Sequence, residues 1–174
     1  MKILDIIRPI KDNSHKREVN KYWASELNSI IKGYITPKNY FDEKEIDDRG
    51  AINIFYGEAL ESYLGEKFIA HKIITEPQVR KEIKIDDLVL VVKPDFVGDI
   101  VIECKCPEKP ITEIPERYKY QLEAEFQAFQ KPTYLLSFQR PIVMYKYEPS
   151  AKKWLEIQIK LKDFNKKLLK LCNK

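Results

Sequence analysis

Asp95, Glu103 and Lys105 fall within one short stretch, "VVKPDFVGDIVIECKCP", from Val91 to Pro107. An apolar run ends at Pro94-Asp95, turns over near Gly98, and resumes as a second apolar run that carries an acid and a base. Side chains alternate along a strand, so Glu103 and Lys105 share a face, about 7 Å apart. Ile100, Ile102, Cys104 and Cys106 share the other face, where the cysteines read as small hydrophobes. If the turn near Gly98 closes a hairpin, Asp95 returns beside Glu103 and two carboxylates meet a lysine. Carboxylates are hard oxygen donors that suit Mg²⁺ or Mn²⁺. Such an ion lowers the pKa of a bound water and neutralises charge on a phosphodiester in the transition state. A lysine at the same point can orient the attacking water or stabilise the developing charge. The competing reading is an ion-pair cluster on a solvated face. Glu82-Ile83-Lys84 repeats the acid–base spacing on another strand-like run, but without a strand-terminal Asp a hairpin's distance before it.

Two helical segments supply further candidates. In "YGEALESYL", Gly57 precedes Glu61 by one turn, so both occupy one side of a helix. A glycine there lets a backbone or substrate approach the carboxylate. Glu61 borders the apolar stripe through Leu60 and Leu64, which turns it toward the sheet; a solvated helix-edge glutamate is the alternative. Gln121 adjoins Leu122 on the helix after the acid strand. Its amide could hold a nucleic-acid backbone or a metal-bound water, or be an ordinary surface group.

The remaining elements must position these residues. "HKREVNKYWASELNSIIKGY" predicts a helix with Val19, Tyr22, Trp23, Leu27, Ile30 and Ile31 on one stripe. "YITPKNYFDEKEIDDRG" reads as an ordered loop. A second helix, Ala51 to Phe68, places Tyr56, Leu60, Tyr63, Leu64 and Phe68 on its apolar side. "QVRKEIKI", "LVLVVKPDF" and "DIVIECKC" read as strands, separated by turns at Asp86-Asp87 and Gly98. "EIPERYKYQLEAEFQAFQ" predicts a helix from Pro115, with Tyr118, Leu122, Phe126 and Phe129 on its stripe. "PTYLLSF", "IVMYKYE" and "KWLEIQIKL" read as further strands, and "KDFNKKLLKLCNK" as a basic amphipathic helix. The expected fold class is α/β (α+β), a central mixed β-sheet flanked by helices. The 174 residues suit one domain: a helical segment over 1–50, a core over about 51–148, and a C-terminal strand and basic helix over 149–174.

Gly57-x-x-x-Glu61, then Pro94-Asp95, then Glu103-Cys104-Lys105, then Gln121, in that order, resembles the PD-(D/E)xK nuclease superfamily. Within it, the chain is most similar to RecB-like and Cas4-like nucleases, from about Trp23 to Phe138. "WASELNSIIKGYITPKNYF" also resembles the segment that opens those domains. The resemblance implies a restriction-endonuclease-like core and a Mg²⁺- or Mn²⁺-dependent deoxyribonuclease. By position it makes Asp95 and Glu103 metal ligands, Lys105 the catalytic lysine, Glu61 an additional metal-binding acid and Gln121 the motif glutamine. The tyrosine that usually follows that glutamine is replaced, with Glu125 and Phe126 in its region. Glu61 stands where RecB-like and Cas4-like members often carry His. Cas4-like proteins commonly hold an iron–sulfur cluster on four cysteines, whereas this chain has Cys172 alone in the late region and none early. No cluster is expected. His15 and His71 read as loop or helix-end residues.

Net charge is +4, which permits an anionic partner without demanding one. Lys93, Arg117, Tyr118, Lys119 and Gln121 are the candidate nucleic-acid contacts, because phosphate neutralisation gives affinity without sequence choice and aromatics stack on unpaired bases. The expected partner is DNA, single- or double-stranded; homo-oligomerisation stays open. The expected activity is exonucleolytic, on DNA ends or single strands. Alternatives are a structure-selective, resolvase-like endonuclease, a non-catalytic DNA-binding or assembly module, and an interaction protein docking through its C-terminal helix. No run reaches membrane-spanning length and no signal peptide is evident, so the expected location is cytoplasmic, in the host cell if the protein is viral.

Overall fold

The computed structural model describes residues 17–42, 48–107 and 109–173, without the side chains of residues 48, 49, 51 and 74–77. Residues 1–16 of the helical segment expected over 1–50, His15 among them, and residues 43–47 lie outside the described residues. Eight strands and four α-helices form the described fold. β1 is Lys21–Trp23; a 3₁₀ turn, Ala24–Glu26, leads into α1, Leu27–Ile31. Then come α2 (Asp48–Ala70), β2 (Ile74–Pro77), β3 (Lys81–Ile85), β4 (Leu88–Val92), β5 (Phe96–Gly98) and β6 (Val101–Lys105). α3 (Glu116–Phe129), β7 (Thr133–Ser137), β8 (Val143–Lys146) and α4 (Ala151–Cys172) complete the chain.

The strands divide into two sheets. One has the order β1-β4-β3, with β1 parallel and β3 antiparallel to β4. The other has the order β2-β5-β6-β7-β8, in which β6 and β7 are parallel and the other pairs antiparallel. The chain passes from the first sheet to the second through Lys93-Pro94-Asp95. Proline lacks the N–H that a continuing ladder requires, so the strand breaks there.

Period-two alternation gives β6 two different faces. Ile102 and Cys104 pack with Phe96 and Leu136 against Leu64 and Phe68 of α2. Val101 joins the main core, which gathers Leu90 and Val92 of β4, Tyr120 and Ala124 of α3, and Ile157 and Leu161 of α4. The class is therefore mixed α/β, with mixed sheets flanked by helices.

Several expectations are corrected. The apolar residues Tyr22 and Trp23 belong to β1 rather than to a helix, because the edge of β4 is open to them. One expected sheet is two. β2, Ile74–Pro77, is a strand beyond those expected. Tyr56 and Tyr63 are exposed; only the Leu64–Phe68 end of that stripe meets the sheet closely. Cys104 is buried as expected, whereas Cys106 lies past the end of β6 and is exposed. "KWLEIQIKL" is no strand: residues 149–174 hold one continuous helix, α4, whose Ser150 accepts a hydrogen bond from the Lys153 N–H as N-cap. Its alternating Leu155, Ile157, Ile159 and Leu161 mimic a strand, but the buried set is Ile157, Leu161, Phe164 and Leu168, which has helical spacing.

A buried polar clasp ties the two chain ends of the fold. Asn165 of α4 accepts the Tyr22 hydroxyl at 2.6 Å and the Asn20 N–H at 3.2 Å, and donates to Asn20 Oδ1 at 2.8 Å. Removing it strands a buried hydroxyl. Asn165→Ala should therefore cost about 1–3 kcal/mol in a denaturant titration, and much less when combined with Tyr22→Phe. Equal costs in the two backgrounds would contradict the clasp.

Candidate active site

The β5–β6 hairpin assembles the acids. Its register pairs Phe96 with Ile102 and Val97 with Val101, so one step further brings Asp95 to Glu103. The Cys104 N–H donates to Asp95 Oδ2 at 2.7 Å, fixing that carboxylate against the neighbouring strand. Glu103 is only 3 % exposed, and Lys105 Nζ donates to its Oε1 at 2.5 Å. These two residues sit on one strand face, and the lysine retains partial access to solvent.

A cleft of about 450 Å³ opens over this group, lined by Gly57 and Glu61 of α2, Lys93 and Asp95 of the crossover, Glu103 of β6 and Gln121 of α3. Glu61 is half-buried there and accepts a 3.3 Å hydrogen bond from Gln78 Nε2. A Cβ on Gly57 would meet nothing within 4 Å, so the cleft wall is open at that point. Thus Gly57, Glu61, Lys93, Asp95, Glu103 and Gln121, all singled out by sequence, line one space, and Lys105 adjoins them through Glu103.

The other three nucleic-acid candidates lie differently. Tyr118 is half-buried beside the site, with Lys105 Nζ 5.9 Å and Arg117 Cζ 4.7 Å from its ring centroid. Arg117 is exposed. Lys119 pairs with Glu116 at 3.1 Å and lines a separate groove with Lys153. His71 is exposed just beyond α2.

Sequence reading missed three contributors. Gln78, which supports Glu61, sits in a turn with no motif to mark it. Trp23 and Ser25 reach the cleft because β1 pairs with β4, a tertiary fact. Glu125 is the third: it is completely buried on α3, one turn beyond Gln121. The signal for it was the i, i+4 spacing from Gln121, which puts both on one helix face.

Crowding dominates the electrostatics. Burial, then the Glu103 and Glu61 charges, push the Asp95 carboxyl well above the usual carboxylate range, against opposition from Lys105 and the Cys104 N–H. Burial and the Glu103 charge raise Glu61 as well. Glu125 is pushed well up by burial first and then by Glu103. Burial alone would pull Lys105 down, but Glu103 and Asp95 together outweigh it and hold the ammonium group protonated. Burial likewise drives the Cys104 thiol up, leaving it an inert neutral group.

The donor set fits a hard divalent ion. Glu103 Oε2 and both Glu125 oxygens are buried without a hydrogen-bond donor, which is costly unless a positive charge or a proton is supplied. Asp95, Glu103 and Glu61 are oxygen ligands of the kind Mg²⁺ and Mn²⁺ take. Among the described residues, no three His, Cys, Asp or Glu side chains already close around one ion-sized position. Lys105 stands on Glu103 Oε1, where its ammonium group offsets part of the cluster's charge.

A carboxyl group whose folded pKa is raised binds more protons folded than unfolded, so its contribution to stability declines as pH rises from its unfolded pKa to its folded one. For Asp95 that decline begins near pH 4. In EDTA, Asp95→Asn should therefore be more stable than wild type near neutral pH, by about 1–2 kcal/mol, with the gap closing toward about pH 4. Urea titrations at several pH values check this. An asparagine variant less stable at neutral pH would show that the Asp95 charge is favourably paired instead.

No family model matches the chain, and no curated protein matches it. Among solved structures, SSO0001 superposes with a TM-score of 0.70 at 17% identity, over 95% of this chain and 84% of its own. An alkaline exonuclease, LHK-Exo from Laribacter hongkongensis, superposes with a TM-score of 0.60 at 17% identity, over 86% of this chain and 88% of its own. Its complex with dAMP gives 0.61 at 18% identity over the same shares. At such identities the likeness is one of fold, and it agrees with the restriction-endonuclease-like core expected from the sequence.

Proposed function

We propose that this protein is a metal-dependent deoxyribonuclease that hydrolyses phosphodiester bonds, acting as an exonuclease on DNA ends or single strands. The observation that carries the reading is the meeting of Glu61, Asp95, Glu103 and Gln121 in one cleft, with Lys105 bonded to Glu103. A structural strand has no need of this mixture. Fold likeness to an alkaline exonuclease, also seen in complex with dAMP, supports the exonucleolytic form.

Each side chain has a part it can play. Asp95 and Glu103, with Glu61, would hold Mg²⁺ or Mn²⁺, whose chemistry at such a site is charge neutralisation and activation of water. The Lys105 ammonium, kept protonated by its neighbours, offers a positive charge to a phosphate oxygen or orients the attacking water. The Gln121 amide lines the cleft and can donate to the DNA backbone. Lys93, on the cleft wall, adds phosphate attraction, and Tyr118 with Arg117 forms a stacked cation–aromatic pair beside Lys105 on which an unpaired base could rest.

The test is cleavage of end-labelled linear and closed circular DNA, single- and double-stranded, with Mg²⁺, Mn²⁺ or EDTA. Wild type should degrade linear DNA only when the ion is present, and Asp95→Ala and Lys105→Met should each lose at least about 100-fold in rate. Nicking of circles would move the assignment to an endonuclease. Intact substrates throughout, with DNA binding retained, would overturn catalysis and favour a binding module.

A further inference from the structure

Glu125 of α3 is a fully enclosed acid beside the site. It is 0 % exposed, and its carboxyl lies within hydrogen-bonding reach of Glu103, which is itself 3 % exposed. As carboxylates the two have no donor between them. Glu103 Oε2, Glu125 Oε1 and Glu125 Oε2 all lack a hydrogen-bond partner. Glu103 is thus used at one end only: Oε1 accepts from the Lys105 ammonium, and Oε2 is buried without a partner.

The contrast with Glu123, two residues earlier on the same helix, is informative. Glu123 is equally buried, but its oxygens accept from the Tyr147 hydroxyl at 2.7 Å, the Ser150 N–H at 2.8 Å and Gln127 Nε2 at 2.9 Å. The fold therefore supplies donors to one buried glutamate of α3 and none to the other. A buried anion without donors costs several kcal/mol, and a cation between Glu103 and Glu125 would remove that cost. Mg²⁺ and Mn²⁺ need only one or two protein carboxylates, with water completing the shell, and the cleft reaches Glu103.

We propose that Glu125 is a divalent-cation ligand, forming with Glu103 Oε2 a cation position on the α3 side of the cluster, with Glu103 bridging it to the Asp95 side. This rests on the nuclease reading for the identity of the ion, and it assigns a metal-binding role to a helix residue that the motif resemblance left without one.

The experiment is calorimetric titration of Mn²⁺ into the metal-free protein, for wild type, Glu125→Gln and Asp95→Asn, with melting temperatures recorded in EDTA and in Mn²⁺. Glutamine matches glutamate in shape and differs in charge, so Glu125→Gln should fold. The expected result is a loss of about 10–100-fold in Mn²⁺ affinity, or of one bound equivalent, together with a smaller rise in melting temperature on adding Mn²⁺. Should Glu125→Gln not fold, Glu125→Asp keeps the charge but withdraws the carboxylate, and must weaken binding too. Unchanged affinity and stoichiometry in these variants, with binding lost in Asp95→Asn, overturns the Glu125 assignment alone: the two glutamates then share a proton. No Mn²⁺ binding by wild type overturns this inference and the metal-dependent nuclease reading together.

Discussion

The antiparallel pairing of Phe96–Gly98 with Val101–Lys105 is the interaction on which the rest depends. It brings Asp95 and Glu103 side by side, and the 2.7 Å bond from the Cys104 N–H to Asp95 holds them there. Like charges at such spacing repel, more strongly as water is withdrawn. The cluster therefore persists only because the sheet around it is well packed. Ile102 and Cys104 are anchored under Phe68 and Leu64 of α2 on one face. Val101 is embedded in the main core on the other. Parallel pairing of β6 with β7, Glu103 opposite Leu135, leaves the acid strand no edge along which to slip.

Seen this way, the fold spends stability where it needs a cluster of charge. Asp95, Glu61 and Glu125 are all raised in pKa by burial and by one another. Lys105 is the counterweight, and its bond to Glu103 is the closest charge pairing in the group. Glu123, the other glutamate buried on α3, accepts hydrogen bonds at both oxygens, and this contrast agrees with the proposed role of the cluster.

What could be read from the sequence follows from what is local. Period-two alternation assigned Glu103 and Lys105 to one face and Cys104 to the other, and Gly98 with Pro94 marked the turn that returns Asp95. Helical spacing carried α3 and the position of Gln121. Patterns that depend on partners were not legible. Leu155, Ile157, Ile159 and Leu161 alternate as a strand would, and only packing against the core selects the helix. Tyr22 and Trp23 fit a helical stripe until the open edge of β4 claims them. The seclusion of Glu125 arises from α3 lying over β6, which no spacing in the chain encodes.

The central claim is that this carboxylate cluster is a divalent-cation site. A crystal soaked in Mn²⁺ and measured at the manganese absorption edge tests it most directly. An anomalous peak is expected about 2.0–2.2 Å from Asp95 and Glu103 oxygens, with Lys105 displaced from Glu103 Oε1 or sharing it. Well-ordered carboxylates with no anomalous density between them, or manganese bound only elsewhere on the surface, would contradict it.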